Sequence, residues 1–381
     1  MRNKIYCVLP FMLAVSVSNA APLFSLGDNA DVFFNLQTGV KADSNVNAAA
    51  ANERDDVIFT VRPGLELDLV RGESQADGSL IVQSTNLRYS DNEIYNAENL
   101  GVFANGSYED VVYSFGGALS FVEDQTTTQR IDLDGLLESE TFDVSGYFRY
   151  DFTQKVGVRI GAQFTNLDYV GVFDDQLPDR ETVTLPLKFF YAYSPKLDIT
   201  AGFRYRNADI DNLGTVIGND PEDIQFTVGV EGELLPKLVG SVDVGYQERS
   251  FQTGSLDDTD TLTLAAALEY AFSPKLGLVF SANRDFESVS DGNPIESTSA
   301  NFQLNYSYNE FWSISGNLGL LYDDFKASNR EDETITLGVS GQYTPNGYLA
   351  LGAIIYYANM DSNEDRDFDK TVVEFTATLR Y

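Results

Sequence analysis

Histidine is absent from this chain, and its single cysteine, Cys7, falls within the first ten residues. Ser–His and Cys–His nucleophiles and the commonest metal ligand are therefore excluded together. Carboxylate, guanidinium and ammonium groups remain. A carboxylate pair can do acid–base work, but no spacing singles one out. Acidic residues cluster at Asp174-Asp175, at Asp209 with Asp211, and at Asp220 with Glu222 and Asp223. Further clusters stand at Asp257-Asp258 with Asp260 and at Glu364-Asp365. Such groups supply the oxygen ligands that Ca²⁺ takes, but none has the Asp-x-Asp-x-Asp-Gly spacing of a tight loop site. They are expected to be solvated loops, with weak divalent bridging to anionic lipopolysaccharide as the alternative. No catalytic, cofactor-binding or metal-ligating residues are expected. The formal net charge of −33 also excludes nucleic acid as a partner, because phosphate binding requires clustered Lys and Arg.

A second set of charges is spaced differently. Arg62, Glu66, Arg149, Arg159, Lys188, Arg204, Glu231, Asp243, Glu269 and Glu374 each stand in a run where polar and apolar residues alternate. Arg149, Arg159, Lys188, Arg204 and Arg206 fall on neighbouring runs, and Glu231, Glu233, Asp243 and Glu269 on the next ones. Two arrangements fit. Opposed basic and acidic ladders would orient a dipolar or hydroxyl-rich solute, as in channel constrictions; mutual neutralisation would give no selectivity.

The runs are the elements that must position these charges. In Leu276–Phe286, residues Leu276, Leu278, Phe280 and Ala282 share one face, opposite Gly277, Val279, Ser281, Asn283 and Asp285. In the last run Val373, Phe375, Ala377, Leu379 and Tyr381 oppose Glu374, Thr376, Thr378 and Arg380. Period two over ten or more residues predicts a strand with one apolar face. About eighteen such segments are expected by this template. They run 31–42, 55–70, 79–91, 99–109, 111–123, 140–151, 156–169, 182–193 and 197–209. The rest are 223–234, 238–252, 260–272, 276–288, 298–308, 312–326, 332–343, 348–360 and 370–381.

Connections alternate in length. Short turns include Ser194-Pro195-Lys196, Leu235-Pro236-Lys237 and Ser273-Pro274-Lys275. Long polar loops come between them, with Asp124–Ser139 the longest, whose part Gln125–Leu137 is a candidate to fold inward. Short turns on one rim and long loops on the other are the layout of outer-membrane barrels. An even strand number places both termini on the short-turn rim.

A soluble sandwich also alternates, but its strands cluster near five or six residues, whereas a tilted strand crossing hydrocarbon needs about 9–11. Aromatic residues fall near the ends of the runs. Tyr150, Tyr191, Tyr193, Tyr270, Phe272, Tyr306, Trp312, Tyr343 and Tyr381 lie on the short-turn side. Phe164, Tyr169, Phe203, Tyr205, Tyr246, Phe251, Tyr322 and Tyr357 lie on the loop side. Rings of this kind belong at headgroup level. An open sheet edge is excluded in lipid, so the strands must close, and 16–18 of them enclose water. The expected fold is all-β, a transmembrane antiparallel up-and-down barrel. Residues 1–20 read as a secretory signal peptide, with Arg2 and Lys4, an apolar core over 8–17 and a small-residue site at Ser18-Asn19-Ala20. The barrel then spans 21–381.

The stretch Ser44-Asn45-Val46-Asn47, the Asp55–Leu69 segment with Arg62-Pro63-Gly64-Leu65, the Gly245–Phe251 run and the Pro-Lys hairpins resemble the β-barrel porin type 2 family of Gram-negative outer-membrane proteins. The resemblance covers essentially the whole chain after the leader. It implies an outer-membrane location and a porin-like barrel, and some members of this broad group are associated with exopolysaccharide export. Phe375, Leu379 and terminal Tyr381 resemble the C-terminal signal read by barrel-assembly machinery, where Phe is the commoner last residue. The expected function is passive diffusion of small hydrophilic solutes, with cations favoured at an acidic outer mouth. A polysaccharide-export barrel and a closed structural or adhesive barrel are the alternatives. Expected partners are outer-membrane lipid, lipopolysaccharide, the assembly machinery and the solute, whether small or a polysaccharide.

Overall fold

The computed structural model describes residues 20–27, 29–69, 75–127, 130, 135–212, 219–252, 256–288 and 293–381. Residues 1–19, which carry most of the expected leader, lie outside them.

A three-residue strand, Phe24–Leu26 (β1), lies against the start of Ala30–Asp43 (β2). The ring runs on through Asp56–Asp68 (β3), Ala76–Tyr89 (β4), Ala97–Glu109 (β5), Tyr113–Thr127 (β6), Leu136–Asp151 (β7) and Val156–Val170 (β8). Arg180–Ser194 (β9), Leu197–Ile210 (β10), Pro221–Leu235 (β11), Leu238–Phe251 (β12), Thr259–Ser273 (β13) and Leu276–Ser288 (β14) follow. Pro294–Ser307 (β15), Trp312–Phe325 (β16), Glu331–Tyr343 (β17), Leu349–Ser362 (β18) and Phe368–Arg380 (β19) complete it. Each strand from β2 to β19 pairs antiparallel with its sequence neighbour, and β19 pairs with β2 from Arg380↔Asn35 to Val372↔Asp43. The eighteen strands therefore close into a barrel. Both ends of the chain meet at the seam, where the Tyr381 amide donates to the Phe34 carbonyl at 2.9 Å.

At several short turns a side-chain oxygen at the turn start accepts backbone amides further along. Ser273 Oγ accepts from Lys275 and Leu276, at 3.2 and 3.1 Å. Thr153 Oγ1, Asn309 Oδ1 and Asn346 Oδ1 do the same at three other turns, the local competition that favours these residues at turns. All three Pro-Lys hairpins carry a register shift beside the turn, at Leu197/Asp198, Glu233/Leu235 and Ala271/Ser273. The sequence repeat is thus a repeat of bulged hairpins.

Facing outward, the strands present a belt of apolar side chains. Phe226, Val228, Leu262, Leu337, Ile355 and Phe375 are all more than half exposed to the barrel's surroundings. A contiguous girdle of this kind has no soluble explanation but fits lipid. Below it, aromatic pairs mark the turn rim: Trp312 stacks on Tyr343 at 4.6 Å, and Tyr348 meets Tyr381 at 6.0 Å. Two members of the expected loop-side girdle do not belong to it. Tyr169 is 5% exposed and packs inside the barrel, and Phe251 shares the inward parity of Gln247 and Arg249 on β12. The expected long loop over 124–139 is also shorter, because β6 runs to Thr127 and β7 begins at Leu136. Polar and charged residues there extend the ladder above the bilayer, where strand pairing does not require apolar faces.

Candidate solute pathway

Period two sends every second residue of each strand into the lumen, and the charged residues take those places. On the wall formed by β19, β2, β3 and β4, Arg62 donates to Gln37 Oε1 at 2.9 Å and to Thr85 Oγ1 at 2.8 Å. Glu66 pairs with Arg380 at 3.0 Å and accepts from Asn35. The Arg380 guanidinium also lies 3.6 Å from the centre of the buried Phe33 ring. Glu374 stands opposite Lys41 in the β19–β2 register, beside Asp43, which takes Lys370 at 2.9 Å.

The wall from β7 to β14 is denser. Lys188 lies between Asp243 at 2.9 Å and Glu231 at 3.5 Å, and Thr200 also donates to Asp243. Arg149 pairs with Asp151 and Asp198. The ring of Phe190, 3% exposed, is flanked by Arg149 at 4.2 Å, Arg159 at 5.0 Å and Lys188 at 6.0 Å from its centre, a cation–π cluster that lets three like charges share one wall. Arg204 reaches Asp285, four strands away, at 2.7 Å, and Arg206 joins it there. Glu269 shares the interior face near the turn rim, between Val239 and Val279.

Basic and acidic residues therefore meet on the same wall, and opposed ladders across the lumen do not form. Cations and anions that neighbour each other in strand order pair locally because their contact distance is far shorter than the lumen width, and Coulomb attraction falls with distance. The solvated-loop reading fails for Asp223, which is 1% exposed and bridges Arg249 and Arg206 inside the wall. Sequence reasoning did not single out Phe190 or the Asp223–Arg249 pair. Extending the alternation from Lys188 finds Phe190, but nothing in the sequence indicates the depth at which Asp223 lies.

Toward the loop rim the interior fills with apolar side chains. Leu137, Tyr169, Phe173 and Leu177 from the β7–β9 side pack with Ile295 and Phe325 of β15 and β16, half a ring away. The segment Gly171–Phe173 makes a 3₁₀ turn, and the Gln176 and Leu177 amides donate to the Phe173 carbonyl. Leu136, adjacent to Leu137, packs on a second cluster of Val46, Ile58, Tyr89 and Tyr95. Ala48, Met360 and Phe368 make a third. The first of these, which bridges the β7–β9 side to β15 and β16, forms an apolar septum below the loops. Arg130, on the connection expected to fold inward, pairs with Asp323 at 2.8 Å and Glu287 at 3.3 Å, while its neighbours at 128–129 and 131–134 lie outside the described residues. Interior positions nearer the turn rim, such as Gln163, Asn301 and Gln303, are exposed. The lumen is thus lined by exposed polar side chains toward the turns and crossed by apolar ones toward the loops. No group of three or more Asp, Glu, His or Cys residues is placed to hold a metal ion among the described residues.

A family model described as putative beta-barrel porin 2 matches residues 32–381. No curated protein matches the chain. Among solved structures, that of Pseudomonas aeruginosa OpdQ is similar at 10% identity and a TM-score of 0.50, covering 92% of this chain and 98% of that one. The apoprotein form of the FrpB iron transporter from Neisseria meningitidis is similar at 9% identity and a TM-score of 0.50, covering 94% of this chain and 82% of that one. At these identities the likeness is one of barrel fold alone.

Proposed function

This chain belongs to the β-barrel porin 2 family, and from that premise we propose that it is a passive outer-membrane channel for small hydrophilic solutes. One observation carries the reading: a closed ring of eighteen strands is apolar outside and lined inside by charged, amide and hydroxyl groups. Such a wall replaces part of a solute's hydration as it crosses, and closure of the ring pairs the strands' backbone groups where lipid offers them no partner. In this reading the turn rim faces the periplasm and the acidic loops face outward, against lipopolysaccharide. The seam strand with Phe375, Leu379 and Tyr381 is the part presented to the assembly machinery. The barrel moves solutes and does no covalent chemistry. Many of its interior charges are paired, as Lys188, Arg204 and Arg249 are, so ion preference arises chiefly from the acidic loops and favours cations weakly at the loop rim.

A second reading, a barrel closed at rest, is favoured by the apolar septum at the loop rim. Purified protein in planar bilayers separates the two. Stepwise ohmic currents in potassium chloride support an open channel; rare openings from a silent baseline support the closed one. Complete absence of current under all voltages overturns the channel reading.

A further inference from the structure

The register between β13 and β14 stops short of the loop rim. It ends at Leu264↔Arg284, while β13 stays paired with β12 as far as Arg249↔Thr259 and β14 with β15 as far as Ser288↔Pro294. Over 259–263, β13 therefore presents a strand edge that β14 does not cover. There the Arg284 side chain, and not a backbone ladder, reaches Thr261 Oγ1, at 3.3 Å. The end of β14 has turned inward instead. Phe286 and Ile295, on the two arms of the β14–β15 hairpin, are 0% exposed, and Ile295 belongs to the septum.

Arginines hold the hairpin there. The Phe286 carbonyl accepts from Arg206 at 2.7 Å, the Glu287 carbonyl from Arg249 at 2.8 Å, and the Ser288 carbonyl from Arg180 at 2.8 Å. The three donors stand on β10, β12 and β9. Side chains add to the hold: Asp285 takes Arg204 and Arg206, and Glu287 takes Arg130 at 3.3 Å. Three consecutive carbonyls, each capped by a guanidinium from a different strand, make a clamp that satisfies the backbone in place of a ladder.

The residues of β14 also suit the edge they have left. Continuing the register past Leu264↔Arg284 sets Thr263 beside Asp285, Leu262 beside Phe286, Thr261 beside Glu287 and Asp260 beside Ser288. Leu262 is 72% exposed on the outer face, so Phe286 would join the apolar belt there. Asp285 and Glu287 would join Thr263 and Thr261 on the lumen face, as the alternation requires. Such an exchange gives up the arginine caps and gains ladder hydrogen bonds along the open edge, while Phe286 passes from one apolar setting to another. We propose that the β14–β15 hairpin is a gate with two seats. Clamped inward by Arg180, Arg206 and Arg249 it closes the loop rim; zipped onto β13 it withdraws Ile295 from the septum and opens the lumen. The gating role rests on the reading of a barrel closed at rest, and the strand exchange does not.

Cysteine pairs test the exchange without any current, in a background where the chain's one cysteine is removed as Cys7→Ser. Strand partners bring their Cα atoms within disulfide range. Leu268→Cys with Phe280→Cys, partners in the register as it stands, is the reference and should cross-link promptly under copper phenanthroline. Asp260→Cys with Ser288→Cys should cross-link slowly, and about tenfold faster when Arg180→Gln removes one cap, the effect of one charge-assisted hydrogen bond. No cross-link in either background overturns the exchange, and a rate indifferent to Arg180→Gln overturns the clamp. In planar bilayers the oxidised pair should hold the barrel open, and reduction should restore closure. A cross-linked barrel that conducts no differently from the reduced one overturns the gate and leaves the channel standing. Absence of current even from the cross-linked barrel refutes the channel reading and the gate with it, while the cross-link still upholds the strand exchange.

Discussion

Arg249 and Asp223 meet at 2.7 Å within the lumen wall, with side chains 2% and 1% exposed. Arg249 donates from both Nε and Nη2, so the pair is bidentate, and Arg206 donates to the same carboxylate at 2.6 Å. One carboxylate thus balances parts of two guanidinium groups in a place that water does not reach. Asp223→Asn leaves both arginines undercompensated, and breaking such a buried pair costs about 3–5 kcal/mol. The expected outcome is a clear fall in the urea midpoint of the refolded barrel, with most of it recovered when Arg249→Met is added. A midpoint equal to wild type in the single variant would show the pair is not structural.

The septum sets a different expectation. Phe173 and Leu177 are 7% and 2% exposed against Ile295 and Phe325, and they belong to a connection and not to the ring. Their removal should therefore loosen closure without loosening the barrel. Truncating a buried Phe or Leu to Ala costs about 2–5 kcal/mol, enough to shift a closed–open balance by more than tenfold. Phe173→Ala with Leu177→Ala is expected to raise the open probability in bilayers and to leave heat-modifiable electrophoretic mobility unchanged. Val172, which is 79% exposed, supplies the control: Val172→Ala should change neither.

These two sites show what was legible in the sequence. Alternation such as Val373, Phe375, Ala377 and Leu379 against Glu374, Thr376 and Thr378 gives the face of each residue, and β14 matches its expected 276–288 at both ends. Closure, strand number and the rim of each connection follow from the same periodicity. Depth does not. Asp223 stands in an acidic cluster with Asp220 and Glu222 but is only 1% exposed, inside the wall. Contacts across strands are equally hidden: Arg204 and Asp285 are 81 residues apart, and only the curvature of the wall brings them together. β1 was missed because three residues cannot show a period.

The seam yields a test of assembly. Tyr381 exchanges two backbone hydrogen bonds with Phe34 and packs near Tyr348, while Phe375 and Leu379 face outward at 62% and 46% exposure. Deleting Tyr381 removes both bonds at the lipid boundary, where unpaired backbone groups are costly. Slower insertion into vesicles is expected, followed as the time course of the heat-modifiable band. Tyr381→Phe keeps the backbone pairing and the ring, so its time course should match wild type; equally slow insertion would assign the effect to the hydroxyl.

The last expectation concerns pH and the β8–β9 connection. Asp179 precedes β9, accepts the Tyr169 amide at 2.8 Å, and its carbonyl takes the Asp211 amide. Burial raises its pKa above the ordinary carboxylate value; the Tyr169 hydrogen bond opposes this, and Asp168, Asp211 and Asp174 add to it by repulsion. A carboxyl with a raised pKa in the docked connection binds its proton more tightly there than when the connection is free. Docking is accordingly strengthened as the pH falls through the raised value, and weakened as it rises through it. The closed fraction of single channels should increase on acidification into the carboxylate range. Asp179→Asn mimics the protonated group and keeps the acceptor for Tyr169, so it should close the barrel more often at neutral pH and flatten the dependence. An unchanged pH profile in that variant would move the titration to another carboxylate of the cluster.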